Sequence, residues 1–463
     1  MNNDKPLRLG PLWFTPGVTG INLTTMLFAA FGTMAIISFM SFMQPYVLNE
    51  LLNIPENEQG ALTGNLHAFQ EVIFIAFAGF AGALSDKFGR PPVYACGFIV
   101  VAAAYALYPM MASVTQLYMA RALFAVGVAG VAVMLSTCIV DYIQERSRGR
   151  WLGTTSIFNG LGILAMSFVL SKLPVFYQEN GANTLEAGRY SFWTVAASCG
   201  VVALILYAGL FRGGNRDSTK SPVLKQFAEG VKAGVKNPRL AVAYGGAFIG
   251  RGDFAVIGTF FSLWLVQEGI EKGMSTGQAL AIAGPMFGII QLCALLWAPV
   301  MGVICDRLSR LQAVSLGLAI AGGGYILMSL VGDPFGPIQS PGDVFKTLFT
   351  DPLSSSTLSA GVLLGMGETS VIVSVGALLG QEAKGEYRGS IVGVFGQLGG
   401  LGILVTTWLG GYLFDGIGRT APFMMMGLMN LVLMAAALLL LTTKHALPSE
   451  QQTANMGTRK NEI

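Results

Sequence analysis

Six ionisable side chains stand inside apolar stretches of this sequence: His67, Glu71, Arg121, Arg251, Asp253 and Glu368. An ionisable group at bilayer depth costs about 2.5–3.5 kcal/mol on insertion scales, so each is a candidate for function. Arg251 lies twelve residues past Arg239, and Glu368 lies thirteen before Gln381. A helix rises about 1.5 Å per residue, which places them roughly 18 and 20 Å deep, level with one another. Arg251 and Asp253, two apart on one helix, point about 200° apart and cannot share a partner. Pairing Arg251 with Glu368 leaves Asp253 as a titratable or substrate-facing acid. Earlier in the chain, His67 and Glu71 share a helix face at i, i+4. Counting back nineteen residues from Asp86 and twenty from Asp141 puts His67 and Arg121 at similar heights. Such a group suits proton transfer, since histidine titrates near neutrality. Each cluster also reads as a structural network joining helices, and the residues alone leave both readings open.

The elements that must hold these residues follow from composition. Of 463 residues, 53% are hydrophobic and 11% charged, whereas about a quarter of a soluble domain is charged. Lipid is the expected solvent. The 60 glycines fall largely inside apolar runs, where small residues allow close helix contact. Runs long enough to cross the bilayer occur near 20–44, 61–84, 92–112, 117–140, 151–171 and 190–211, then near 240–266, 279–304, 311–331, 357–380, 390–413 and 421–443. The expectation is an all-α membrane protein of twelve transmembrane helices. Residues 1–213 and 239–463 form two six-helix halves, the second with a tail, and 214–238 a polar, basic linker. Phe227, Val231 and Val235 recur at four-residue steps there, which predicts a short surface helix over 225–236.

Lysine and arginine set the orientation. Lys87, Arg90, Arg146, Arg148, Arg150, the stretch from Arg212 to Arg239, Arg307, Arg310, Lys384 and Arg388 crowd one set of loops, while the opposite loops carry only Lys172, Arg189, Lys272, Lys346 and Arg419 and hold Glu50, Glu56, Glu58, Asp333 and Asp343. Both termini are therefore expected in the cytoplasm. The N-terminal residues lack the order of a cleavable signal, so the first helix is expected to stay in the mature chain. A net charge of +3 with scattered basic residues leaves no nucleic-acid footprint. The five cysteines, Cys96, Cys138, Cys199, Cys293 and Cys305, have no disulfide or metal spacing. No glycine-lysine phosphate loop is present, and no nucleophile, base and orienting residue fall at one depth. No cofactor, metal or enzymatic activity is expected.

Gly82, Asp86 and Arg90 recur at one constant offset as Gly302, Asp306 and Arg310, and Arg148-Gly149 recurs as Arg388-Gly389. These are marks of an internal repeat. The segment Gly82-Ala-Leu-Ser-Asp86-Lys87-Phe-Gly89-Arg90 closely resembles the major facilitator superfamily signature between the second and third helices. Gly302-Val-Ile-Cys-Asp306-Arg307-Leu-Ser309-Arg310 resembles its C-terminal copy, with Ser309 in place of the glycine. Arg121 to Gly127, and Asp141 to Arg150, are similar to the family's fourth-helix motif and its exit. The resemblance covers nearly the whole chain and implies two pseudo-symmetric six-helix bundles whose first, fourth, seventh and tenth helices line a cavity where Arg251, Asp253 and Glu368 meet. It further implies a latch of Gly82, Asp86, Arg90, Asp141, Asp306 and Arg310 that holds the outward-open state on the cytoplasmic side. In that latch Gly82 admits a neighbouring helix, Asp86 faces a helix N-terminus and Arg90 reaches Asp141. The same charges also read as anchors at the headgroups. The fifth helix holds Gly160 and Gly162 but lacks the glycine-proline pair of drug/proton antiporters.

Uncharged candidates for the cavity are Asn22, Thr25, Gln44, Tyr46, Tyr244, Gln291 and Gln397, residue types that also serve as interhelical glue. The Met424–Met426 run reads as packing or lipid-facing. The function expected is a monomeric secondary active transporter of a small organic solute in the cytoplasmic (inner) membrane. It works by alternating access with protons as coupling ion; the major facilitator halves are a known instance of that repeat geometry. Arg251 and Arg121 favour an anionic or zwitterionic solute, while Asp253, Glu71 and Glu368 suit a cation. An uncoupled uniporter and a proton-driven efflux pump for amphipathic compounds are the other readings. A sensor would want a large soluble domain.

Overall fold

The computed structural model describes residues 7–212, 223–383 and 388–443. Among them are twelve helices long and apolar enough to cross a bilayer: Gly20–Leu51, Glu56–Phe88, Arg90–Met110, Val114–Asp141, Glu145–Glu179, Thr184–Gly209, Pro238–Glu271, Thr276–Arg307, Arg310–Ser329, Ser356–Glu382, Arg388–Gly416 and Ala421–Leu441. They are the first to twelfth spans below. Most outrun the apolar stretches that predict them, because polar ends stabilise extra turns. Glu56 and Glu58 sit in the first turn of the second span, where the helix dipole favours acids. Asn183 and Glu186 close a capping box on the sixth.

The repeated corner is built in two ways. Gly89 takes φ +90° between the second and third spans, a left-handed conformation that glycine enters without a Cβ penalty. In the second copy Ser309 has φ −60°, and its hydroxyl accepts a hydrogen bond from the Gln312 backbone N–H. A helix-capping serine therefore suffices where the first copy needs glycine.

The chain forms two compact units, Met1–Ser218 with Phe261–Gly288, and Thr219–Phe260 with Ile289–Ile463. In the first unit the third and fourth spans pack backbone against backbone. A Cβ added at Gly127 would stand 2.7 Å from Val101 Cγ2 and 2.9 Å from Val101 N. Gly127→Ala is accordingly expected to cost about 1–3 kcal/mol, read as a lower melting temperature in detergent. Gly153→Ala is the control, since a Cβ there meets nothing within 4 Å, and it should leave melting unchanged. At the end of this unit away from the Asp86 loop, Gln267 in the seventh span donates to the Glu56 carbonyl (3.1 Å) and to Gln59 Oε1 (3.2 Å).

Ahead of the first span lies structure that the polar N-terminal sequence does not announce. Arg8–Leu9 pairs antiparallel with Leu12–Trp13, and Phe14 bridges Ile143 beyond the fourth span. The Arg146 guanidinium stacks on the Trp13 ring at 3.6 Å and that of Arg8 at 4.6 Å.

In the second unit, Leu240, Val314, Leu318, Val371, Val375 and Leu378 form the core. Close approach again rests on glycine: a Cβ at Gly367 would fall 2.3 Å from Ala321 Cα, and one at Gly402 would fall 2.0 Å from the Phe248 carbonyl. A helix at Val223–Lys236 fills the described part of the expected linker. Its packed face is not the valine step. Gly230 and Gly234 turn inward, against Ser390 and Tyr244, while Val235 is 81% exposed, because the small residues let the backbone approach more closely than valine allows. The Phe227 side chain, residues 214–222, Lys384 and the tail from 444 lie outside the described residues.

Candidate functional site

The second-to-third-span corner gathers its charges as the spacing suggests. Arg90 Nη1 donates to Asp86 Oδ1 (2.7 Å) and to Ser85 Oγ (2.6 Å), while Nε donates to Asp141 Oδ2 (3.0 Å) at the end of the fourth span. Arg90 and Asp141 are largely shielded, each at 14% side-chain exposure, and Asp86 at 59% is open to solvent. The loop thus has a firm half and an exposed half. The C-terminal copy is looser, with Arg310 at 3.4 Å from Asp306 Oδ1 and also donating to the Cys305 carbonyl. Among the described residues a Cβ at Gly82 or Gly302 meets nothing within 4 Å. Close approach in the first unit is carried by Gly97, Gly127 and Gly162 instead, so in this conformation Gly82 does not do what was expected of it.

In the second unit Asp253 is fully buried on the seventh span. Its two carboxylate oxygens lie 2.9 and 3.2 Å from Asn430 Nδ2 of the twelfth span, and the Tyr325 hydroxyl of the ninth span donates to the Asp253 backbone carbonyl at 2.7 Å. Glu368 in the tenth span is 3% exposed and accepts a long bond, 3.4 Å, from Gln291 Nε2 of the eighth. The expected Arg251–Glu368 pair is absent. Arg251 is exposed, and its aliphatic stem lies against Gly399 of the eleventh span. The 200° separation that barred both residues from one partner turned Asp253 inward and Arg251 outward. Both buried acids are therefore met by amides instead of a cation.

In the first unit His67, Glu71 and Arg121 are all buried, at 7, 8 and 0% exposure. Arg121 Nη2 lies 3.0 Å from His67 Nε2, and the guanidinium stacks 5.7 Å from the Phe124 ring. Its Nε and Nη1 make no hydrogen bond among the described residues. Depth counting thus brings His67 and Arg121 together.

The uncharged candidates divide. Gln44 is fully buried and accepts from the Tyr108 hydroxyl at 2.6 Å. Gln291 joins Glu368. Tyr46 is also buried, and its hydroxyl donates to the Thr184 carbonyl at 2.6 Å at the start of the sixth span, a helix-end contact. Asn22 belongs to the capping box of Thr19 and donates to the Gly209 carbonyl at 2.9 Å. Tyr244 donates to the Gly230 carbonyl of the linker helix at 2.9 Å. Thr25 is buried beside Gly209, and Gln397 is exposed.

Sequence reasoning missed Asn430, although it is the one polar residue in the apolar run 421–441, which is the signal that could have found it. It also missed the join between the seventh and tenth spans, where Arg239 Nε donates to Glu382 Oε1 (2.7 Å), Asn237 Nδ2 donates to Glu382 Oε2 (2.8 Å) and Arg239 Nη2 donates to Gln381 Oε1 (3.0 Å). The Arg239 and Glu382 side chains are 2 and 0% exposed. Both lie at span ends, where the sequence reads as ordinary loop charge.

The sequence model of the Major Facilitator Superfamily matches residues 25–340 and 344–460. The chain is 27% identical over 423 residues to Magnetosome protein MamH of Paramagnetospirillum magneticum, covering 88% of this chain and 90% of that protein. It is 26% identical over 296 residues to the class E tetracycline resistance protein of Escherichia coli, covering 62% of this chain and 67% of that one. The crystal structure of the nucleoside transporter NupG superposes with a TM-score of 0.70 at 12% identity, over 92% of this chain and all of NupG, a likeness of fold.

Proposed function

Because the chain belongs to the Major Facilitator Superfamily, a family of membrane transporters and not of enzymes, we propose that it is a secondary active transporter that carries a small organic solute by alternating access and couples this to protons. The observation that carries the coupling is the pair of buried acids, Asp253 and Glu368, bonded to Asn430 and Gln291 and, among the described residues, to no cation. An acid locked to arginine is a fixed ion pair, whereas one held by amides can exchange a proton during the cycle. His67, Glu71 and Arg121 form the second proposed relay. The division into bundles 1–213 and 239–463 around linker 214–238, residence in the cytoplasmic membrane with both termini inside, and action as a monomer belong to the same reading. The test is solute flux in proteoliposomes with and without an imposed pH gradient, across solutes of each charge class. Coupling predicts gradient-driven accumulation.

The latch is part of this proposal. Arg90 holds Asp141 firmly, and Asp86 is the exposed end of the same network. Removing its charge weakens a switch and not the fold, since exposed ion pairs are worth about 0–1 kcal/mol. Asp86→Asn is expected to keep wild-type membrane yield and melting temperature while losing most transport. Normal flux in this variant removes the latch from the account.

A further inference from the structure

The first unit carries a groove that neither buried cluster uses. It holds about 490 Å³ between the third and sixth spans, at the end of the bundle that bears the Asp86 loop, and Ala95, Cys96, Ile99, Gly200, Leu204 and Tyr207 line it. Its walls are apolar and open outward: Ile99 is 58% and Leu204 73% exposed. Within a membrane span, such an opening faces acyl chains. A cation stands beside one of its lining residues. The Arg212 guanidinium stacks 5.4 Å from the Tyr207 ring and pairs with no acid among the described residues.

This arginine is placed, not adrift. The residue before it, Phe211, donates its backbone N–H to the Tyr142 hydroxyl at 2.7 Å, and its ring packs 6.1 Å from that of Tyr142. The chain leaving the sixth span is thereby tied to the end of the fourth. An arginine fixed just beyond a span stands at headgroup height, and this one lies beside Tyr207 of the groove wall. We propose that this groove is a site for an anionic phospholipid, one acyl chain lying along Gly200 and Leu204 and the phosphate group meeting Arg212. Charge complementarity selects this occupant over a zwitterionic lipid, because one arginine near the surface gives about a fivefold preference for the anionic headgroup.

Cys96 is a native reporter of occupancy, so no cysteine has to be introduced. It is exposed in the groove, while Cys138, Cys199 and Cys305 are buried and Cys293 is half-buried. The experiment is the rate of Cys96 alkylation by N-ethylmaleimide, followed by peptide mass spectrometry, on the full chain in neutral detergent with dioleoylphosphatidylglycerol or dioleoylphosphatidylcholine. The expected result is saturable protection by phosphatidylglycerol at about one-fifth the concentration that phosphatidylcholine needs. Arg212→Gln should bring the two lipids level. Gly200→Trp, at a position where a Cβ meets nothing within 4 Å, should fill the groove and abolish the lipid dependence. Equal protection by both lipids in the wild type overturns the proposal. So does a phosphatidylglycerol preference that survives Arg212→Gln, and circular dichroism with melting of each variant separates lost binding from lost fold.

Discussion

Asp253→Asn and Glu368→Gln are each expected to reduce pH-gradient-driven accumulation to the level of protein-free liposomes while solute exchange persists. Exchange needs no net proton release, so a carboxamide that keeps the shape and some of the hydrogen bonding still permits a solute-loaded cycle. The geometry makes the substitutions gentle. Asn430 Nδ2 can donate to an amide oxygen at position 253 as it does to the carboxylate, and Gln291 can do the same at 368. Neither change strands a buried cation, because Arg251 is exposed and makes no pair with Glu368. Melting temperatures should therefore stay near wild type. An acid that served only as structure behaves in the opposite way: its loss lowers thermal stability and leaves gradient-driven transport intact. Reading transport, exchange and melting on one preparation separates the two.

The second large effect concerns the fold. Arg239→Ala or Glu382→Ala alone is expected to cost about 3–5 kcal/mol, since removing one partner of a buried pair leaves the other charge uncompensated. The Arg239–Glu382 pair is 2.7 Å apart and closed off from solvent, with Asn237 and Gln381 completing its hydrogen bonds. Arg239→Met with Glu382→Leu should recover most of the loss, because an apolar pair of similar volume can replace a buried ion pair with little change. Thermal unfolding of the singles and the double checks this. Singles that melt with the wild type would show that the pair is not sealed in the native protein.

Much of this architecture was legible in the sequence, for physical reasons that can be named. Twelve spans follow from apolar length, because lipid leaves no alternative to satisfied backbone hydrogen bonds. The Asp86–Arg90–Asp141 network follows from a short corner with fixed spacing, and His67 meets Arg121 because depth can be counted from span ends. Partnership across helices was less legible. Counting gives height and angle but not which neighbour a side chain finds, so Glu368 was matched to Arg251 when it faces Gln291. Ser309 shows a related limit: the same corner is built once on positive φ and once on a capping hydroxyl, and residue identity alone does not say which. The hairpin at Arg8–Trp13 escaped notice because its cohesion comes from Arg146, more than a hundred residues away.

In the proposed mechanism, proton movement and solute movement share Asp253 and Glu368. The most direct measurement is solute-evoked pH change inside proteoliposomes carrying a trapped pH-sensitive dye, compared between wild type and the Asp253→Asn/Glu368→Gln double variant at matched incorporation. A shared proton path gives a pH change in the wild type that scales with solute flux, and none in the double variant while labelled solute still exchanges. Solute flux without any pH change in the wild type, or a full pH change in the double variant, contradicts it.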